Sequence, residues 1–262
     1  MPTDSVTARA STAPASTDRA SSDRIRIDLA VFDIAGTTVE EHGAVYDALR
    51  GAVESAGEDA GLVLSDADVE RWMGADKRAA IRALLAPGYP DAGPAGLDVA
   101  VVERVFADFR DRLDLAYRTR PPAPMPGVVE ALGTLRAQGI KIALTTGFDR
   151  SVVGPLLASL TWDDGLLDAV VCADDVAAGR PAPYMIFHAM ELTGVTAVRR
   201  VLVAGDTVRD LLAGTNAGAA AVVGVLTGQV SATTLGAVPH THLLASVADL
   251  PRLVTGPTGW GN

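Results

Sequence analysis

Five short apolar runs recur along the chain and restrict its fold: IRIDLAVFD ending at Asp33, KIALTT (Lys141 to Thr146), AVVCAD (Ala169 to Asp174), VLVAGD (Val201 to Asp206) and AAVVGV (Ala220 to Val225). They are rich in β-branched residues and apolar at consecutive positions, the pattern of strands covered on both faces. Helical patterns lie between them, at Val128 to Gln138, Tyr184 to Leu192 and Asp210 to Ala217. This alternation predicts an α/β fold, a doubly wound Rossmann-like parallel sheet. Sheets of this kind bind ligands where their strands end, and polar residues gather there.

Residues 44–120 break the rhythm. Tyr46, Leu49 and Val53 have helical spacing, and Ser65 is placed to cap a helix carrying Val69 and Trp72. Val99, Val102, Phe106, Phe109, Leu113 and Tyr117 mark a long amphipathic helix. The chain therefore divides into a Ser-, Thr- and Ala-rich tail (1–24), an α/β core (25–43 and 121–254) and an inserted all-helical cap (44–120). The hinges are expected near Glu41 and at PPAPMPG, Pro121 to Gly127.

Composition narrows the function classes. At 262 residues and 48% hydrophobic, the chain can bury a full core. Its net charge of -10 repels nucleic acid and anionic lipid, and no local basic patch overrides it. Leu211 to Ala248 contains no charged side chain, but Gly, Asn, Gln, Thr and Pro interrupt it, so it reads as buried strands and loops rather than a membrane span. A single cysteine, Cys172, and no secretory pattern indicate a reducing compartment, the cytoplasm. Cys172 reads as a buried strand residue, and His240 with His242 as part of a surface loop.

The strand ends bring a set of reactive types together. Asp33 opens DIAGTT, Thr146 and Gly147 follow a core strand, Arg180 lies in AAGRPAPY, and Asp206 and Asp210 lie in GDTVRD. The set supplies a carboxylate nucleophile, hydroxyl and amide donors for a phosphoryl oxygen, a cation, and acids suited to a hard Mg²⁺ ion. Taken singly, each has a plainer reading: an Asp at a strand end caps the next helix, and a lone Arg is solvated. The glycines of GTNAG do not form a dinucleotide-binding loop.

In order and spacing these segments resemble the four motifs of the haloacid dehalogenase superfamily. That resemblance implies that Asp33 is the nucleophile, that Thr146 and Gly147 bind phosphate, and that Arg180 replaces the usual lysine. It further implies that Asp33, the Ala35 carbonyl and Asp206 hold Mg²⁺, with Thr207 and Asp210 in support. Phosphatases of the family carry a second Asp two residues after the nucleophile as acid and base for an ester oxygen; Ala35 stands there instead. DxAGTT with Ala at this position, and Arg in GRP, is similar to phosphonatase, the phosphonoacetaldehyde hydrolase branch, and to a sister group of phosphonatase-like hydrolases. A carbon leaving group needs an electron sink, which that branch makes by condensing the substrate aldehyde with a cap lysine. MGADK, Met73 to Lys77, resembles its cap motif, which makes Lys77 the imine former and puts Met73 near the substrate. Of the twenty-two bases only Lys77 and Lys141 are lysines, and arginine cannot form this imine.

Two departures are visible. Ala80 stands where the branch has a histidine one turn after its lysine, and Gly43 where it has a cysteine; His42 is the nearby imidazole. The expected activity is cleavage of phosphonoacetaldehyde to acetaldehyde and phosphate. A small-ester phosphatase of phosphoglycolate type and a non-catalytic phosphate-ligand binder remain as alternatives. The resemblance also implies a homodimer through the cap.

Overall fold

The computed structural model describes residues 26–90, 96–162 and 165–255; the tail expected at 1–24 lies outside them. Six parallel strands form the main sheet: β1 (Leu29–Asp33), β4 (Lys141–Thr145), β5 (Ala169–Val171), β6 (Val201–Gly205), β7 (Ala221–Val225) and β8 (His242–Leu244), in the order β5-β4-β1-β6-β7-β8. From β1 the chain first builds outward on one side, through β4 and β5, and then on the other. The direction of winding therefore reverses at β1, opening a crevice at its carboxyl end. Asp33 is the last residue of β1 and pairs in register with Thr145.

Side-chain alternation along these strands feeds both faces. Ala30 and Phe32 of β1 join Ile142, Leu144, Leu202 and Ala204 under α5 (Val128–Ala137) and α6 (Arg150–Ser159). Leu29 and Val31 join Ala143, Val201 and Val203 against α7 (Tyr184–Thr193) and α8 (Val208–Ala217). Both faces are thus covered, which is why the strands carry no polar alternation. The main strands expected from sequence are present, trimmed by a residue or more.

After β1 the chain passes through β2 (Val39–Glu40) into four helices: α1 (Ala44–Ala56), α2 (Asp66–Glu70), α3 (Lys77–Leu85) and α4 (Val99–Thr119). It returns through β3 (Ala123–Pro124), which pairs antiparallel with β2, so the two crossings are tied into a short ribbon. Helices α1, α3 and α4 pack on one another through Leu49, Val53, Ile81, Phe106, Phe109 and Leu113. The ring centroids of Phe106 and Phe109 are 5.8 Å apart.

Several expectations are corrected. Ser65 caps α2 in a reciprocal box with Asp68, but the helix stops at Glu70 and Trp72 lies in the following turn. Val99 is exposed, and Val105 takes its place on the buried face of α4. His242 belongs to edge strand β8, and a further short helix, α9 (Ala232–Gly236), lies within the charge-free stretch. Cys172 falls just beyond β5, fully buried, with its thiol pushed up to about 12 by burial. A last helix, α10 (Leu250–Thr255), packs beside α5. No helix among the described residues is long and apolar enough to cross a membrane.

Candidate active site

Asp33, the last residue of β1, is buried. Arg180 meets it: Nη2 lies 2.7 Å from Asp33 Oδ1, and Nη1 donates to Asp210 Oδ1. One guanidinium thus bridges two carboxylates that arrive from β1 and from α8. Its Nε has no hydrogen-bond partner among the described residues, an unspent donor in a buried position.

Asp210 is held from its own helix. Thr207 caps α8, its hydroxyl and backbone N–H both donating to Asp210 Oδ2. Both Asp210 oxygens are therefore engaged, one by Arg180 and one by Thr207. Asp206, just after β6, receives the Thr37 hydroxyl at 2.7 Å. Burial, followed by the nearby charge of Asp33, pushes the Asp206 carboxyl up from its ordinary value.

A group of carboxylate oxygens from Asp33, Asp206 and Asp210 lies within 4.8 Å of one another. Three buried acids around one bridging arginine leave excess negative charge, and every side-chain donor is a hard oxygen, which fits Mg²⁺. With both Asp210 oxygens spent on Arg180 and Thr207, Asp33 and Asp206 could hold such an ion through the oxygens that Arg180 and Thr37 do not engage. The half-buried Ala35 brings its backbone alongside Val39 and carries no side-chain acid.

Thr146 follows β4 and is buried. Its backbone N–H is used on Val171 O, and its hydroxyl oxygen accepts from Phe148 N at 3.1 Å. The hydroxyl keeps its own proton to donate. Gly147 lies against the helical segment: a Cβ there would overlap the Ala75 carbonyl, so only glycine lets the two backbones meet. Gly74, at φ +72°, makes the reciprocal approach, with Thr207 Oγ1 2.6 Å from where its Cβ would stand.

Lys77 opens α3, behind the Asp76 cap, and is 4% exposed. Its Nζ donates to Ala75 O at 3.0 Å and sits 5.2 Å from the centre of the Phe148 ring. Burial and the Arg180 charge pull the amine down to about 8, against opposing pulls from Asp33, Asp76 and Glu41. Ala80, one turn on, is fully buried and apolar. His42 has its ring nitrogen 3.4 Å from Glu40 Oε1. Met73 packs with Leu211, Val222, Val230 and Leu235, and lines a cavity of about 480 Å³ beside Thr207 and Arg209.

The sequence reading singled out Asp33, Arg180, Asp206 and Asp210, and these carboxylates and guanidinium meet at one place. It missed Thr37, which holds Asp206; Phe148, under the amine; and Arg209, against the cap. It also missed Glu41 as a buried acid, its carboxyl raised by burial while accepting from Val45 N at 2.8 Å. Thr37 and Arg209 lie inside the quoted motifs DIAGTT and GDTVRD. Phe148 and Glu41 reach the site only through packing, which a single sequence does not display.

The chain is 38% identical over 130 residues to the phosphonoacetaldehyde hydrolase of Bacillus cereus, covering 49% of this chain and 48% of that one. It is 35% identical over 138 residues to a phosphonoacetaldehyde hydrolase-like protein of Syntrophobacter fumaroxidans, covering 52% and 48%. The chain thus spans about half the length of these relatives. A solved phosphonoacetaldehyde hydrolase-like protein from Oleispira antarctica shares the fold at TM-score 0.73 with 22% identity, covering 87% of this chain and 91% of that one. A hydrolase from Pseudomonas syringae does so at TM-score 0.70 with 22% identity, covering 85% and 95%. Residues 27–218 match the family described as haloacid dehalogenase-like hydrolase, and with that match over most of its length the chain belongs to that family.

Proposed function

We propose that the protein is a Mg²⁺-dependent hydrolase that cleaves the carbon–phosphorus bond of phosphonoacetaldehyde, giving acetaldehyde and phosphate. The observation that carries this reading is Lys77: a buried amine, drawn down to about 8, within the fields of Asp33 and Arg180. It occurs in a site whose Ala35 leaves no acid for an ester oxygen.

The aldehyde condenses with the neutral Lys77 amine and releases water, leaving a protonated imine on Nζ. Asp33 attacks phosphorus, the carbon–phosphorus electron pair moves into the imine, and the enamine departs. Protonation of the enamine carbon and hydrolysis release acetaldehyde and regenerate Lys77. Water then opens the aspartyl phosphate. Arg180, with its unspent Nε donor, and the Thr146 hydroxyl take up charge on the phosphoryl oxygens. Asp33, Asp206 and the Ala35 carbonyl would hold Mg²⁺, which when bound would supply electrostatic stabilisation of charge on the phosphoryl group. Thr207 and Asp210 keep Arg180 in place, and Met73 borders the site from the helical segment, which acts as a cap over the core.

Phosphate release tests the proposal, with Mg²⁺ present and phosphonoacetaldehyde set beside a panel of small phosphate esters. Wild type is expected to turn over the phosphonate. Lys77→Arg should lose that activity, and Asp33→Asn should lower turnover by roughly a thousandfold or more. Release from an ester alone, undiminished in Lys77→Arg, would make the protein a phosphatase and overturn the reading.

A further inference from the structure

The seam between the helical segment and the sheet is crossed at one place by a residue that touches both the cap lysine's own loop and the loop of the site arginine. Arg209, in the first turn of α8, donates from Nη2 to Arg71 O and from Nη1 to Arg180 O, each at 3.3 Å. Its guanidinium carbon lies 5.1 Å from the centre of the Trp72 ring. Arg71 and Trp72 directly precede MGADK, so these contacts fix the run that delivers Lys77. Arg180 O belongs to the residue that pairs with Asp33. The side chain also stands between two seam cavities, of about 480 Å³ and 420 Å³, lining both.

Elsewhere on the seam, the ties involve α6 and its cap instead. Arg78 pairs with Asp149 at 3.1 Å, and Arg110 donates to Ser151 at 3.1 Å. Neither of these hydrogen-bonding ties reaches the Arg180 loop. Arg209 is partly buried within the field of the Arg180 charge, and burial followed by that charge lowers its own affinity for a proton. Two like charges are brought close where an uncharged residue would avoid the repulsion, and the return is a planar cation that can stack and donate to two carbonyls at once.

We infer that Arg209 is a positioning residue: a clamp that couples seating of the cap segment Arg71–Lys77 to the placement of the Arg180 loop, so that amine and nucleophile are aligned together. The kinetic consequence rests on the carbon–phosphorus reading above; the clamp itself does not. Arg209 touches no reacting atom and acts through Lys77 and Arg180.

The test uses the full chain with Trp260→Phe, so that Trp72 and the buried Trp162 are the emitters. Acrylamide quenching then reports how far the cap covers Trp72. Arg209→Ala is expected to raise quenching and to lower kcat for phosphonoacetaldehyde by roughly tenfold or more, with KM moving less than about threefold. Arg209→Lys keeps the charge but loses the planar stack and should fall between, which serves if the alanine variant folds poorly. In a cycle with Trp72→Leu, the double variant should lose little more kcat than either single one. Unchanged quenching and kcat in both Arg209 variants, or simple additivity in the cycle, would overturn the clamp. A wild type inactive on the phosphonate would remove the proposed function, and the quenching measurement would still decide the clamp.

Discussion

Burying an amine penalises its charged form, and Lys77 carries the consequence in both activity and stability. Its folded value of about 8 lies below the ordinary lysine range, so the neutral amine that the proposed imine requires becomes abundant as pH rises towards 8. We expect kcat/KM for the phosphonate to climb about tenfold per pH unit below that point and then level, checked by initial rates from pH 6 to 9. The sign for stability follows from the same shift. Below about 8 both folded and unfolded chains hold the proton, and the fold bears the full cost of a buried charge. Between about 8 and 10.5 only the unfolded chain is protonated, so stability rises with pH. Lys77→Met should therefore be more stable than wild type at pH 6.5, by on the order of 3 kcal/mol, and the gap should narrow at pH 9.5 in urea unfolding. Asp33, Asp206 and Asp210 could be grouped from sequence because DIAGTT and GDTVRD each lie at the end of a core strand, and AAGRPAPY supplies the Arg180 that meets Asp33 and Asp210. Phe148 and Glu41 could not, since an aromatic ring under an amine and a carboxyl buried beside a helix start carry no local signal.

At the scale of elements, α8 does two jobs with one capping box. Thr207 satisfies the helix start through Asp210, and that same carboxylate receives Arg180. Thr207→Ala should cost about 1 kcal/mol in denaturant unfolding and lower kcat further than that loss alone explains, whereas Thr207→Ser should retain both. Equal kcat in the two variants would separate the cap from the site. The strands of the sheet were readable because apolar residues at consecutive positions demand cover on both faces. Edge strand β8 was not, since its three half-buried residues carry a histidine and follow a polar turn. Trp72 was misplaced on a helix because its spacing from Val69 is helical, while the chain turns at Arg71 to bring Gly74 against Thr207.

Over the whole molecule, the helical segment lies closed on the sheet, and its closure depends on backbone touching backbone at Gly147 and Ala75. Gly147→Ala cannot be accommodated by a flexible side chain, so the cap must shift. We expect a loss of roughly tenfold or more in kcat/KM with a smaller change in thermal unfolding, measured on the same preparation. The insertion itself could be read from the break in strand–helix alternation, but its seating could not, because Gly147, Gly74, Arg209 and Trp72 meet only across the seam. The reading as a carbon–phosphorus hydrolase stands on the covalent role of Lys77. Borohydride added during turnover of phosphonoacetaldehyde, followed by peptide mass analysis, examines that bond directly. A substrate-derived mass on Lys77, absent without substrate and absent in Lys77→Arg, is the predicted result; phosphate release with no added mass at Lys77 would contradict it.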